Sequence, residues 1–209
     1  MQVIIEPYNA EWPDVFLSGK TVIATAIQHC SPTVEHFGST SIPGLHAKPT
    51  IDILVGLNRQ EDLDKTINPM IEAGYTYIKK YEPLWPTRRF FMQLQSSTTI
   101  PPQVIDTNDN SVIGKDFTSL ANINIIVKDS ADWTRMVAFR DFLRTHALIR
   151  NEYGELKKQL SKREYSDMNE YNDAKNSYVK QLEKNALEWF YQQATQAATN
   201  RVAGPDTST

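Results

Sequence analysis

An α+β fold is predicted by three features of the sequence. The first is a dense β-branched run at 50–57 (TIDILVGL); the second is the set of short strand-like runs on either side of it. The third is a switch to helical stripes after Asp129. Together they predict a small mixed sheet with flanking helices, followed by a C-terminal helical bundle. One domain is expected over 1–195, with an insertion loop at about 95–118 and a flexible tail at 196–209. Hydrophobic residues at 40% and charged residues at 22% suit a chain with a real core. The net charge of −3 excludes a protein that coats nucleic acid through bulk charge, so any phosphate site must be local and nucleic acid is not expected as a partner. The opening MQVIIEPYNAEW turns polar too soon for a secretory leader, and no apolar run approaches the roughly 18 residues of a membrane span. A cytoplasmic protein with no membrane partner is therefore expected.

Taken in order, residues 10–29 place Trp12, Val15, Phe16, Val22, Ile23 and Ile27 near helical spacing after a cap at Asn9. TVEHFGS (33–39) predicts a short strand ending in small residues. The run at 50–57 is long enough for a central strand and too short for a typical helix. Residues 59–73 predict an amphipathic helix with Leu63, Ile67, Met70 and Ile71 inward and Gly74 closing it. Strands follow at 75–80, 88–94 and 121–127, the last two separated by a stretch rich in turn formers. Helices are expected at 130–146, 148–163 and 167–194. The last carries Tyr171, Ala174, Tyr178, Leu182, Asn185 and Trp189 on one stripe at about 100° per residue. QQATQAATNRVAGPDTST has little apolar bulk and reads as a frayed tail.

The segment HFGSTSIPGLHAKPTIDILV (36–55) carries the chemistry. Gly38 followed by Ser39, Thr40 and Ser41 leaves a strand with little bulk, and can turn backbone N–H groups and three hydroxyls toward an anion. Lys48 stands just before the next strand, where its cation can meet a phosphate. Asp52 and Leu54 share one face of that strand, Ile51 and Ile53 the other. A lone buried carboxylate is costly, but it is useful where it holds a hydrated cation. The alternative is a tight turn with a strand-end aspartate capping backbone. Ser39 lacks a paired base in the sequence, which favours phosphate contact over nucleophilic attack.

On the helix near 130–146, Trp133, Met136, Val137, Arg140, Leu143 and Arg144 fall in one arc. Two arginines a turn apart in an apolar arc are aimed at a phosphate or at an acid across a cleft. Otherwise they are solvated, or pair with Asp141, Glu152 or Glu155. Lys175 lies at the edge of the Tyr171–Leu182 stripe, while Lys157, beside Tyr153, Leu156 and Leu160, reads as solvent-facing. His36 reads as structural; His46, beside Lys48, is the histidine nearest the candidate loop. Cys30, the single cysteine, has no recognisable catalytic partner.

GSTSIPGLHAKPTIDILV resembles the signature of the GrpB family, a branch of the nucleotidyltransferase superfamily. The likeness continues through RRFF (88–91), FRDFLRTH (139–146), EYGELKKQL (152–160) and YNDAKNSYV (171–179), leaving out only the insertion and the tail. It implies a polymerase-β-like core in which Gly38 and Ser39 match the phosphate loop and Asp52 a metal carboxylate. The implied activity is Mg²⁺-dependent transfer of a nucleoside monophosphate from a nucleoside triphosphate to an acceptor. Gly38, Ser39, Thr40 and Ser41 would hold phosphate, Asp52 would bind Mg²⁺, and Lys48 with Arg140 would neutralise developing charge. Lys48, Arg89, Arg140, Arg144 and Lys175 are expected to converge there. The sequence departs from the pattern where a second acid belongs, at Leu54, and where Asn122 and Asn124 stand on the later strand. With one clear metal ligand, the alternative is a module that binds a nucleotide or phosphorylated small molecule without turnover.

Overall fold

The β-branched run at 50–57 becomes β2 (Ile51–Leu57), and the ANINIIV stretch becomes part of β5 (Thr118–Val127), its parallel neighbour. In this computed structural model, which describes residues 2–109, 113 and 116–202, these two strands carry the middle of a five-stranded sheet. β1 (Thr33–Phe37) pairs antiparallel with β2 on one side. On the other side lie β4 (Arg88–Gln95), antiparallel to β5, and the two-residue β3 (Thr76–Tyr77), giving the order β1-β2-β5-β4-β3.

The period-2 pattern sorts the residues of β2 onto two different environments. Ile51, Ile53, Val55 and Leu57 join Ala121, Ile123, Ile125 and Phe91 in the main core, under Trp12, Phe16 and Ile23 of α1 (Trp12–Ala26) and Met70 of α2 (Ile67–Glu72). Leu54 turns the other way and packs with Ile126 and Trp133 of α3 (Ala131–Thr145). Helices α3, α4 (Ala147–Leu160) and α5 (Met168–Val202) cover this second face. Phe142, Leu143, Tyr153, Leu182 and Ala186 form their shared core, and the loop residues Ile42 and Leu45 insert into it. The N-terminal segment is tied down by a two-way backbone bridge between Glu6 and Ala47, each bond 2.9 Å.

The α+β class and the sheet-then-bundle order are as the sequence predicts; three details differ. The helix expected over 59–73 is two short 3-10 turns, Gln60–Asp62 and Asp64–Thr66, before α2. Asp62 takes Arg59 and Lys65 locally, and Pro69 supplies no N–H for an earlier helical bond. Gly74, at φ +91°, does close α2. The strand expected at 75–80 shortens to β3, and part of the insertion lies alongside it: Tyr77 N–H donates to Gln103 O and Ile105 N–H to Tyr77 O, both 2.8 Å. Ile105 is thereby fully buried with Ile78, Leu94 and Phe117. Finally, α5 runs on to Val202, into the stretch expected to fray, because its Gln/Ala/Thr-rich composition is compatible with helix even without packing. Residues 203–209 of the expected tail lie outside the described residues.

Candidate phosphate site

β1 ends at Phe37, whose register partner on β2 is Asp52. Gly38 then takes φ +67° and ψ −172°, a backbone state closed to residues with a Cβ, and turns the chain into a short 3-10 turn, Ser39–Ser41. A Cβ at Gly38 would lie 2.2 Å from Asp52 Oδ2. Glycine is what lets the loop backbone rest directly on the carboxylate.

Of the three hydroxyls, two are committed inside the loop. Thr40 Oγ1 lies 3.0 Å from His36 Nε2, and Ser41 Oγ donates to Gly38 O at 2.7 Å. Ser39 is held differently: Lys157 Nζ, from α4, donates to its Oγ at 2.9 Å. Lys157 is 2% exposed, which corrects the solvent-facing reading; the stripe of Tyr153 and Leu160 rolls that face of α4 onto the loop. Its ammonium lies 4.7 Å from the Tyr153 ring centroid, and Lys175 sits likewise 4.9 Å from that of Tyr171.

Asp52 keeps some accessible surface, yet its carboxyl group is set deep enough that desolvation dominates and pushes it above the ordinary carboxylate value. The Asn122 hydrogen bond opposes this, followed by the positive charges of Lys175, Lys48 and Lys157. The lysines are shifted the other way. Burial lowers Lys48 and Lys175 against the pull of Asp52. Lys157 is brought down to about 7 by burial first and by Lys175 second. The charges of Lys48, Lys157 and Lys175, from three segments, thus all favour the ionised form of one carboxylate, and Lys157 also holds the Ser39 hydroxyl.

The donor set does not fit a magnesium ion of the kind the resemblance implies. Asn122 Nδ2 donates to Asp52 Oδ1 at 3.0 Å, while Asn122 Oδ1 accepts from Ser119 Oγ at 3.1 Å. Reversing that amide would set oxygen against carboxylate oxygen, so Asp52 is met by an N–H where a metal site needs another oxygen. Leu54, in place of a second acid, is fully buried against Ile126 and Trp133. Asn124 Oδ1 accepts from Arg88 at 3.2 Å. Among the described residues no three of His, Cys, Asp or Glu gather as metal ligands.

Arg140 and Arg144 stand close by but are spent on structure. Arg140 donates to Glu35 at 2.8 Å, to the His36 carbonyl at 3.1 Å and through two nitrogens to Asp141. Arg144 places Nε and Nη2 on the Ser41 carbonyl at 3.0 and 2.8 Å. Of the acids weighed from sequence, Asp141 is a partner; Glu35 was visible only once β1 and α3 were brought together. These arginines clamp the loop onto α3, and their nitrogens are taken up by protein partners. They also help hold His36, stacked on Phe16 at 4.7 Å, down to about 4, behind the larger effect of its burial, so it is a neutral structural residue as expected. Arg140→Met is accordingly expected to cost roughly 1–3 kcal/mol of stability, reduced by the partial exposure of Glu35 and Asp141. Urea titration of the variant checks it; an unchanged midpoint would mean that the clamp is idle.

Arg89 is not brought to the site. It pairs with Ile125 in register, on the face opposite Asp52, and binds Asp64 at 2.6 Å. Its neighbour Arg88 takes the site face, stacked 4.8 Å from the Trp85 centroid and paired with Asp132. Strand parity relative to Asn124 thus sends Arg88, and not the expected Arg89, to the face that carries Asp52. His46 packs beside Gly154 on α4, and Cys30 is buried away from the loop in the main core.

Comparison with known proteins agrees with this architecture. The family model described as GrpB protein matches residues 2–185. A UPF0157 protein of Halalkalibacterium halodurans is 31% identical over 179 residues, covering 86% of this chain and 80% of its own. The glutamate-rich protein GrpB of Alkalihalophilus pseudofirmus is 28% identical, covering 87% and 94%. Among solved structures, the conserved protein GrpB from Enterococcus faecalis superposes with a TM-score of 0.71 at 27% identity, over 90% of this chain and 99% of that one.

Proposed function

This chain belongs to the GrpB family, and from that premise we propose that it is a nucleotidyltransferase-like protein that binds a nucleotide or another phosphorylated small molecule without turnover. The observation that carries the reading is the lysine convergence. Lys157 holds Ser39 on the Gly38 loop, and with Lys48 and Lys175 it acts on the single carboxylate of Asp52. A phosphate entering there meets ammonium groups that are partly stripped of water, where each charge interaction is worth more than on an open surface. Transfer of a nucleoside monophosphate, the activity implied by the family resemblance, requires several anionic ligands to gather cations. The set around Asp52 supports binding better than that chemistry.

The experiment is a thermal-shift series with pyrophosphate, nucleoside diphosphates and nucleoside triphosphates. A ligand at about a hundred times its Kd stabilises the native state by about 2.7 kcal/mol, which for a chain of this size raises the midpoint by roughly 5–10 °C. Millimolar phosphate compounds that leave the midpoint where it was would remove the reading.

A further inference from the structure

The positive charge that a phosphate chain requires is already built into this site. Lys48 arrives from the loop before β2, Lys157 from α4 and Lys175 from α5. All three act on Asp52, and so does the Asn122 amide, which spends its N–H on Oδ1. On the same sheet face, Arg88 brings a fourth cation to Asn124, two residues along β5 from Asn122. Lys157 is fixed at its Ser39 end by a 2.9 Å hydrogen bond and backed by Tyr153, while Lys175 is backed by Tyr171. These are held groups, unlike surface lysines that sweep through water.

We propose that Lys48, Lys157 and Lys175 supply here the charge neutralisation that divalent cations would otherwise supply, so that the pocket takes a metal-free phosphate chain and rejects its magnesium complex. The proposal rests on the phosphate-binding reading above and names the ionic form of its ligand. The physical reason is twofold. A complexed chain carries less negative charge to meet the lysines, and its cation is brought up against like charges. Such repulsion is stronger in a partly desolvated pocket than in open water. Asp52 is the carboxylate placed to offset that repulsion, and it already accepts from Asn122; among the described residues it has no companions that gather as metal ligands. The shared ligand chemistry is a linear di- or triphosphate, which a nucleotide and an inorganic polyphosphate both carry.

Isothermal titration of the full chain with ATP and with inorganic tripolyphosphate, each in EDTA and in excess MgCl₂, tests this. Binding is expected in EDTA and at least about fivefold weaker in magnesium. Lys175→Gln should weaken metal-free binding about tenfold. Asp52→Asn, which removes the opposing charge and keeps the shape, should strengthen it by roughly three- to tenfold. Equal affinity for ATP and tripolyphosphate would identify the phosphate chain as the recognised element; a clear preference for ATP would add a nucleoside contact to the same metal-free mode. Affinity that is equal or higher in magnesium, or a magnesium gain that Asp52→Asn abolishes, would overturn the proposal and leave the phosphate-binding reading standing. No heat from either probe in either buffer would instead overturn the reading on which it rests.

Discussion

Gly38→Ala is expected to destabilise the protein by about 2–4 kcal/mol, visible as a lower urea midpoint. Two separate costs contribute. The new methyl would need φ +67° with ψ −172°, a region essentially reserved for glycine, at about 1–3 kcal/mol. It would also stand 2.2 Å from Asp52 Oδ2 and 2.8 Å from Asp52 Cβ, so the loop must lift from β2. Because Ile42 and Leu45 anchor the same loop in the bundle core, lifting it disturbs packing beyond the site. The double variant Gly38→Ala/Asp52→Gly separates the two costs. It should recover the part due to the clash and keep the part due to the backbone. A single variant that melts with the wild type would show that the loop does not lie on Asp52.

Lys157→Met is expected to raise stability at and below neutral pH while abolishing phosphate binding. The ammonium is buried and brought down to about 7 from an unfolded value near 10.5. The unfolded chain therefore holds this proton more tightly than the native one. Stability lost to the buried charge is fully lost below about pH 7 and is regained as pH rises toward 10.5. The whole displacement corresponds to about 5 kcal/mol. Losing the bond to Ser39 and the contact with the Tyr153 ring offsets part of this, leaving a net gain of roughly 1–3 kcal/mol at pH 6. Besides burial, the groups that set this balance are Lys175 on α5, Asp52 on β2 and the Tyr153 ring on its own helix. Chemical denaturation of both proteins from pH 6 to 10 checks the sign. The advantage of the variant should shrink with rising pH, and an advantage flat across that range would contradict the assignment. In the wild type, phosphate affinity should fall as pH rises through 7, because bound anion favours the charged lysine.

Most of the strands, the first helix, the three late helices and the chemistry of one loop are legible along the chain. Strand-like runs and helical stripes are local patterns: β-branched density and run length predict β2 and β5, and helical spacing predicts the three late helices. The Gly38–Ser39 turn and Asp52 were legible for the same reason: each needs a particular residue type at a fixed distance along the chain, and chain distance is what a sequence records. Lys48 and Lys175 were singled out from their places beside that loop and on the α5 stripe.

Which cations lie on the side of the carboxylate depends on contacts between segments far apart in the chain. Arg88 and Arg89 are chemically identical neighbours, and strand pairing sends one to Asn124 and the other to Asp64. Lys157 is far from Ser39 along the chain, and only the docking of α4 on the loop turns an ordinary helix lysine into a buried one. The sequence leaves Arg140 and Arg144 open between phosphate, solvent and a nearby acid because Glu35 and the Ser41 carbonyl are equally remote along the chain. A long side chain's role depends on which charged or polar group three-dimensional packing brings within about 3 Å of its tip. Neither residue type nor periodicity contains that distance.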